Sequence, residues 1–181
     1  MTDIFDQMNV VYINGSSRKG GHTTAIGKVL SSNKNVIHLT DYRIGFFEYD
    51  NSNSDDDFIP LIQELMENNV WVFLTPVYWY TMSGRMKVFF DRLTDLIKWN
   101  DDLSLQFNKI KWYALSCGSD SYEVPEFFKP IQLSADYLDA EYMGDVHVWK
   151  DKRKPMEEAV IKRLESFKIA IEKGQRFIQE A

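Results

Sequence analysis

Cysteine is nearly absent: Cys117 is the single thiol in 181 residues. No intrachain disulfide can form, and this usage fits a reducing cytoplasm. Positive charge is also in short supply. The net charge is −6 and the isoelectric point about 5.1. That argues against a nucleic-acid binder, which would carry a basic face, and against attachment to an anionic membrane. Long hydrophobic runs are missing too, since the longest apolar stretches are cut by Pro76, Arg85 and Lys87, well short of a membrane span. Residues 1–6 are acidic where a secretory signal would be basic. With no internal repeat, low-complexity tract or linker, residues 1–181 read as one cytoplasmic domain.

What the chain does have is alternation. Hydrophobic residues make up 44% of it. Short β-branched and aromatic runs at 10–13, 36–39, 70–74, 109–116 and 142–149 predict strands. Segments with apolar residues every three or four positions follow them, at 23–30, 58–68, 83–98, 125–137 and 155–173, and predict helices. Thr23 is placed to cap the first helix. The run Asp55-Asp56-Asp57 is placed to cap the second and balance its dipole, and Pro155 suits the first position of the last. Strict alternation predicts an α/β three-layer sandwich. Its five-stranded parallel sheet has the doubly wound order 2-1-3-4-5, with a ligand crevice where the strand order reverses.

Three loops at strand ends carry the chemistry. The first, 14–23, offers glycines for close backbone approach, the hydroxyls of Ser16, Thr23 and Thr24, and the planar fork of Arg18. All of these precede a helix N-terminus that favours an anion. His22 sits at the helix start and is a candidate phosphate donor. The glycine spacing matches neither a Walker loop nor the dinucleotide fingerprint, and a glycine-rich turn with an ordinary cap is the alternative. The second loop, Pro76, Val77, Tyr78 and Trp79 followed by Tyr80, presents consecutive aromatics that cannot all enter one core and suit a flat ring. Packing on a neighbouring helix or a partner subunit is the alternative. The third, Ser116, Cys117, Gly118 and Ser119, is small and polar enough for a ring edge, or else a plain turn. Phosphate, flat ring and polar ring edge together describe flavin mononucleotide (FMN). Cys117 reads as a small buried hydrophobe. No residue is assigned as catalytic and none as a metal ligand. The basic stretch 150–154 reads as a solvated connection.

With these loops in place, the chain resembles the NAD(P)H-dependent FMN reductase family of flavodoxin-like proteins. The resemblance rests on Gly15-Ser16-Ser17-Arg18 with Thr23, and on Thr75-Pro76-Val77-Tyr78-Trp79 followed by Ser83-Gly84, Lys87 and Asp91-Arg92. It implies FMN as cofactor, NAD(P)H as hydride-donating cosubstrate, and a quinone, azo, nitro or flavin acceptor. It also implies a homodimer or homotetramer. By the same resemblance Ser16, Arg18, Thr23 and Thr24 hold the phosphate, Pro76 to Trp79 line the ring, and Ser116 to Ser119 meet its polar edge. Where many relatives carry a cysteine-rich loop after the second strand, residues 42–50 offer Phe46, Phe47 and Tyr49. A flavodoxin-type electron carrier and a flavin-free scaffold are the alternative functions.

Overall fold

Val70–Pro76, seven residues of which every one is buried, forms the centre of the sheet. Apolar side chains at successive positions can be buried only if both faces of the strand are covered, which is the parallel-sheet situation. The computed structural model describes residues 8–32 and 36–178; the acidic opening stretch lies outside them. The strands are β1 (Val10–Asn14), β2 (Val36–His38), β3 (Val70–Pro76), β4 (Lys111–Gly118) and β5 (Glu141–Trp149). The helices are α1 (His22–Leu30), α2 (Phe58–Leu65), α3 (Gly84–Trp99), the short α4 (Asp101–Ser104), α5 (Lys129–Tyr137) and α6 (Glu158–Lys173). All neighbouring strands pair in parallel, in the order β2-β1-β3-β4-β5, as the alternation predicts.

The pleat sorts the core into two layers. Val11, Ile13, Trp71, Phe73, Trp112 and Ala114 face α2, α3 and α5. Tyr12, Val72, Leu74, Tyr113, Leu115 and Cys117 face α1 and α6. In the first layer the Trp71 and Trp112 rings, brought side by side by the β3–β4 register, stack with centroids 6.2 Å apart. α1 and α6 therefore lie on the same face of the sheet.

Helix starts differ from expectation in three places. The first helix is capped by Gly21, not Thr23, and no side chain caps it. The 55–57 run does cap α2, but through its middle member, since Asp56 Oδ1 accepts from the Phe58 amide at 2.9 Å. Asp57 occupies the cap position without a side-chain cap bond; its carboxylate instead accepts from the Arg43 amide at 2.6 Å. The fourth helix begins at Lys129, because Glu126 has a left-handed φ of 58° that interrupts helical geometry. α6 begins at Glu158, not Pro155, since Glu157 is still extended at ψ 146°. The preceding loop is held by the Asp151 carboxylate, which accepts from the Arg153 amide at 2.8 Å.

Behind the second loop sits a charged anchor. Arg92 on α3 is 1% exposed. Its Nε donates to Asp95 Oδ2 at 2.6 Å, and its Nη1 donates to Asp56 Oδ2 and to the Gly45 carbonyl. The guanidinium lies over the Phe58 ring, 4.9 Å from its centroid. Thus the middle aspartate of the acidic run ties α3 to the start of α2 and to the loop after β2.

Candidate functional site

The three loops meet in one cleft at the carboxyl end of the sheet. It measures about 1080 Å³ and is lined by Ser16, Arg18, His22, Thr23, Pro76, Val77, Tyr78, Cys117, Gly118 and Ser119, together with Gly20, Gly21 and Lys150 to Arg153. Ten of the thirteen residues singled out in the sequence therefore share one cavity wall. Thr24, Trp79 and Ser116 lie elsewhere.

The first loop is built by its own hydrogen bonds. Asn14 Oδ1 accepts from the Ser16 amide at 2.8 Å, and Asn14 Nδ2 donates to Thr24 Oγ1 at 2.9 Å. Thr24 Oγ1 in turn donates to the Arg18 carbonyl at 3.1 Å. The Gly21 amide donates to that same carbonyl at 3.2 Å. Thr24 is thus buried behind the loop and fixes its shape. Asn14, which sequence reasoning did not single out, is the hub of this arrangement.

With its bonds turned inward, the loop leaves its donors for a ligand. The first-turn amides of α1 have no intrahelical partner, and Gly21 supplies no side-chain oxygen to satisfy them. Arg18 is exposed, and its guanidinium makes no ion pair among the described residues. Lys150, Lys152 and Arg153, read from sequence as a solvated connection, stand on the rim of the same cleft. They too are free of ion pairs among the described residues. The sequence could not reveal this placement, because it follows from α1 and α6 sharing a face. In a chain of net charge −6, four cations and one carboxylate, Asp151, line the cleft into which the uncapped start of α1 opens, a setting that favours an anion.

The second and third loops contribute a less charged part of the lining. Pro76 is the last residue of β3, in register with Cys117, and the Val77 amide donates to the Cys117 carbonyl at 3.0 Å. The second and third loops therefore leave the sheet side by side. Cys117 is buried, and burial pushes its thiol up to about 11 against a hydrogen bond with Thr23. It is a neutral wall at working pH, not a nucleophile.

Beside the cleft lies a smaller pocket of about 270 Å³. It is bounded by Val77, Trp79, Tyr80, Gly118, Ser119, Asp120, Tyr122, Val124 and His147. Trp79 belongs here. Ser116 points to the opposite face of β4 from Cys117, into a third cavity shared with Asp145 and His147. There Ser116 Oγ lies 2.8 Å from His147 Nδ1, and His147 Nε2 lies 3.2 Å from the Asp120 carbonyl oxygen. A carbonyl only accepts, so Nε2 is the donor to Asp120, while Nδ1 and the Ser116 hydroxyl share the second hydrogen bond. His147 thus clamps the third loop. Gly118 leaves room for that ring: a Cβ there would stand 2.9 Å from His147 Cε1. Burial and the nearby Glu123 raise the Asp145 carboxyl, against a hydrogen bond from Tyr142.

Comparison with known proteins adds four findings. Residues 8–119 match the family model described as NADPH-dependent FMN reductase. A putative NAD(P)H-dependent FMN-containing oxidoreductase of Bacillus subtilis, YwqN, is 27% identical over 128 residues, covering 65% of this chain and 70% of that protein. Among solved structures, the Trp repressor binding protein from Bacillus subtilis superposes with a TM-score of 0.66 at 18% identity, covering 95% of this chain and 99% of its own. An FMN-dependent NADH-azoreductase from Bacillus anthracis, solved in complex with FMN, does so with a TM-score of 0.61 at 10% identity, covering 91% and 98%. The structural likenesses bear on the fold. Among the described residues no helix is long and apolar enough to cross a membrane.

Proposed function

The chain belongs to the NADPH-dependent FMN reductase family, and from that premise we propose that its 1080 Å³ cleft holds FMN non-covalently while NAD(P)H delivers a hydride and a small aromatic acceptor takes up the electrons. One observation carries the reading. The uncapped start of α1 and the unpaired Arg18 line the same cavity as Pro76, Val77, Tyr78, Gly118 and Ser119. An anionic tail and a flat ring are thereby accommodated together.

In this reading the α1 amides, Arg18, His22 and Thr23 hold the phosphate, and Ser16 shapes the turn that presents them. Pro76 to Tyr78 flank the isoalloxazine, and the Cys117–Ser119 backbone meets its edge. When bound, FMN would supply two-electron chemistry between the nicotinamide and a quinone, azo, nitro or flavin acceptor, with the proton beyond the hydride's own drawn from solvent. The protein's part is to bind, orient and exclude water. Neither a nucleophile nor a general acid is needed, consistent with the neutral Cys117 thiol.

Exposed aromatics outside the cleft, Phe46 and Tyr49, support self-association as a homodimer or homotetramer. The decisive experiment is the visible spectrum of purified protein supplied with FMN, followed by anaerobic addition of NADH or NADPH. A flavin spectrum that shifts on binding and bleaches with a nicotinamide is the expected result. Protein that remains colourless after dialysis from excess FMN would overturn the proposal.

A further inference from the structure

Trp79 and Tyr80 both have left-handed backbone, with φ of 49° and 65°. They are the two central residues of a hairpin turn closed on both sides. The Tyr78 amide donates to the Thr81 carbonyl at 3.0 Å, and the Thr81 amide donates back at 3.2 Å. A two-residue turn with positive φ at both central positions is strongly selective for Asn-Gly, because bulky side chains strain that backbone. Here it carries the two largest ring types. Core packing does not explain them, since Trp79 is 92% exposed and Tyr80 is 68% exposed. Strain that buys no burial marks a functional segment.

The turn lines the 270 Å³ pocket together with Tyr122, and Asp120, Ser119 and His147 supply polar groups. This volume lies at the small end of ligand sites, enough for a fused ring pair and too little for a dinucleotide. The pocket shares Val77, Gly118 and Ser119 with the large cleft, so its occupant abuts whatever ring fills that cleft. We propose that the Trp79–Tyr80 turn is the acceptor platform, which holds a planar aromatic electron acceptor by ring stacking and selects it over compact, non-planar oxidants. The inference rests on the FMN reading above and transfers Trp79 from the flavin to the second substrate. An exposed indole on a rigid turn gives a large contact face at little entropic cost.

The test replaces the turn with its favoured sequence, Trp79→Asn together with Tyr80→Gly, and uses 2-methyl-1,4-naphthoquinone and ferricyanide as acceptors. Relief of strain is expected to raise Tm, with FMN affinity held within about twofold. The naphthoquinone KM is expected to rise at least tenfold relative to the ferricyanide KM. Trp79→Phe, which keeps a ring face, is expected to retain most of the quinone affinity. KM values that stay put, or that rise equally for both acceptors, overturn the proposal. So does FMN affinity that falls in step, which would return the turn to the flavin site. A lower Tm would show the rings are held by packing. A sedimenting mass smaller than the native assembly's would make the turn a subunit contact, and either result also overturns it. Failure of the FMN reading itself would appear separately, as native protein that binds no flavin.

Discussion

Ser83 Oγ donates a hydrogen bond of 2.6 Å to the Gly15 carbonyl, joining the start of α3 to a turn 68 positions earlier. The same oxygen accepts from the Met86 amide at 3.1 Å, and the Ser83 amide donates to Thr75 Oγ1 at 2.9 Å. One serine thus caps a helix and locks the first loop to the second. The approach is close enough that a Cβ on Gly15 would stand 2.9 Å from Met86 Cβ. Gly15→Ala should therefore push the two loops apart. We expect a stability loss of about 1–3 kcal/mol, as for overpacking elsewhere, with weaker FMN binding. Urea unfolding and flavin titration measure the two effects.

Arg92→Leu should destabilise the fold by about 3–5 kcal/mol, because Asp56 and Asp95 would remain as buried carboxylates without their cation. The pH dependence has opposed parts. Burial raises Asp56, but hydrogen bonds from Arg92 and backbone amides outweigh it and lower the group overall; its stabilisation is present above the ordinary carboxylate range and lost as pH falls through the lowered value. For Asp95 burial wins over Arg92 and raises the group, so its contribution is lost as pH rises. Urea midpoints of Asp56→Asn and wild type between pH 3 and 7 should converge at the acid end.

Arg18→Ala should weaken FMN binding by about 1.5–3 kcal/mol, the range for a hydrogen bond to a charged group, which is tenfold or more in Kd. The guanidinium is exposed and unpaired, so the fold should be unaffected. Fluorescence titration beside a thermal melt separates binding from stability, and unchanged affinity would remove Arg18 from the site.

Cys117 should resist alkylation. With its thiol raised to about 11 from an ordinary 9, the thiolate fraction at pH 8 is about a hundredfold below that of a free cysteine. Iodoacetamide labelling followed by mass spectrometry should be slow at pH 8 and accelerate above pH 9. Bound FMN should slow it further, because Cys117 lines the cleft. Rapid labelling at neutral pH would contradict the buried, neutral thiol.

Gly118→Ala should displace the His147 ring, and His147→Ala should release the Asp120 carbonyl it holds. Both changes loosen the third loop, so both should weaken flavin and acceptor binding together. Gly118→Ala combined with His147→Ala should recover part of the loss if steric conflict between the two is the cause. A double-mutant cycle on FMN affinity reads this coupling.

Much of this arrangement is legible in the chain itself. The five apolar runs and the two-sided burial of residues 70–74 follow from periodicity, and the alternation of strands with helices suits the observed sheet order. The first two loops are legible because each combines unusual residue types with a strand before it and a helix after it. What escapes is any partnership across the sheet. Asp56 pairs with Arg92 thirty-six positions away, and Ser116 with His147 thirty-one away. Neither spacing leaves a local trace. The cations at 150–153 look like an ordinary solvated turn until α6 is seen beside α1. The strain in Trp79 and Tyr80 is likewise invisible without backbone angles, and the aromatic run by itself pointed to the flavin.

The charge distribution around the first loop has a kinetic meaning. A molecule that is negative overall repels a phosphate-bearing nucleotide at long range, and every collision with its general surface is discouraged. The small positive mouth at Arg18 and 150–153 reverses this within roughly one Debye length, about 8 Å at physiological ionic strength. Approaching anions are thereby turned away from most of the exterior and drawn toward one portal, so orientation begins before contact does.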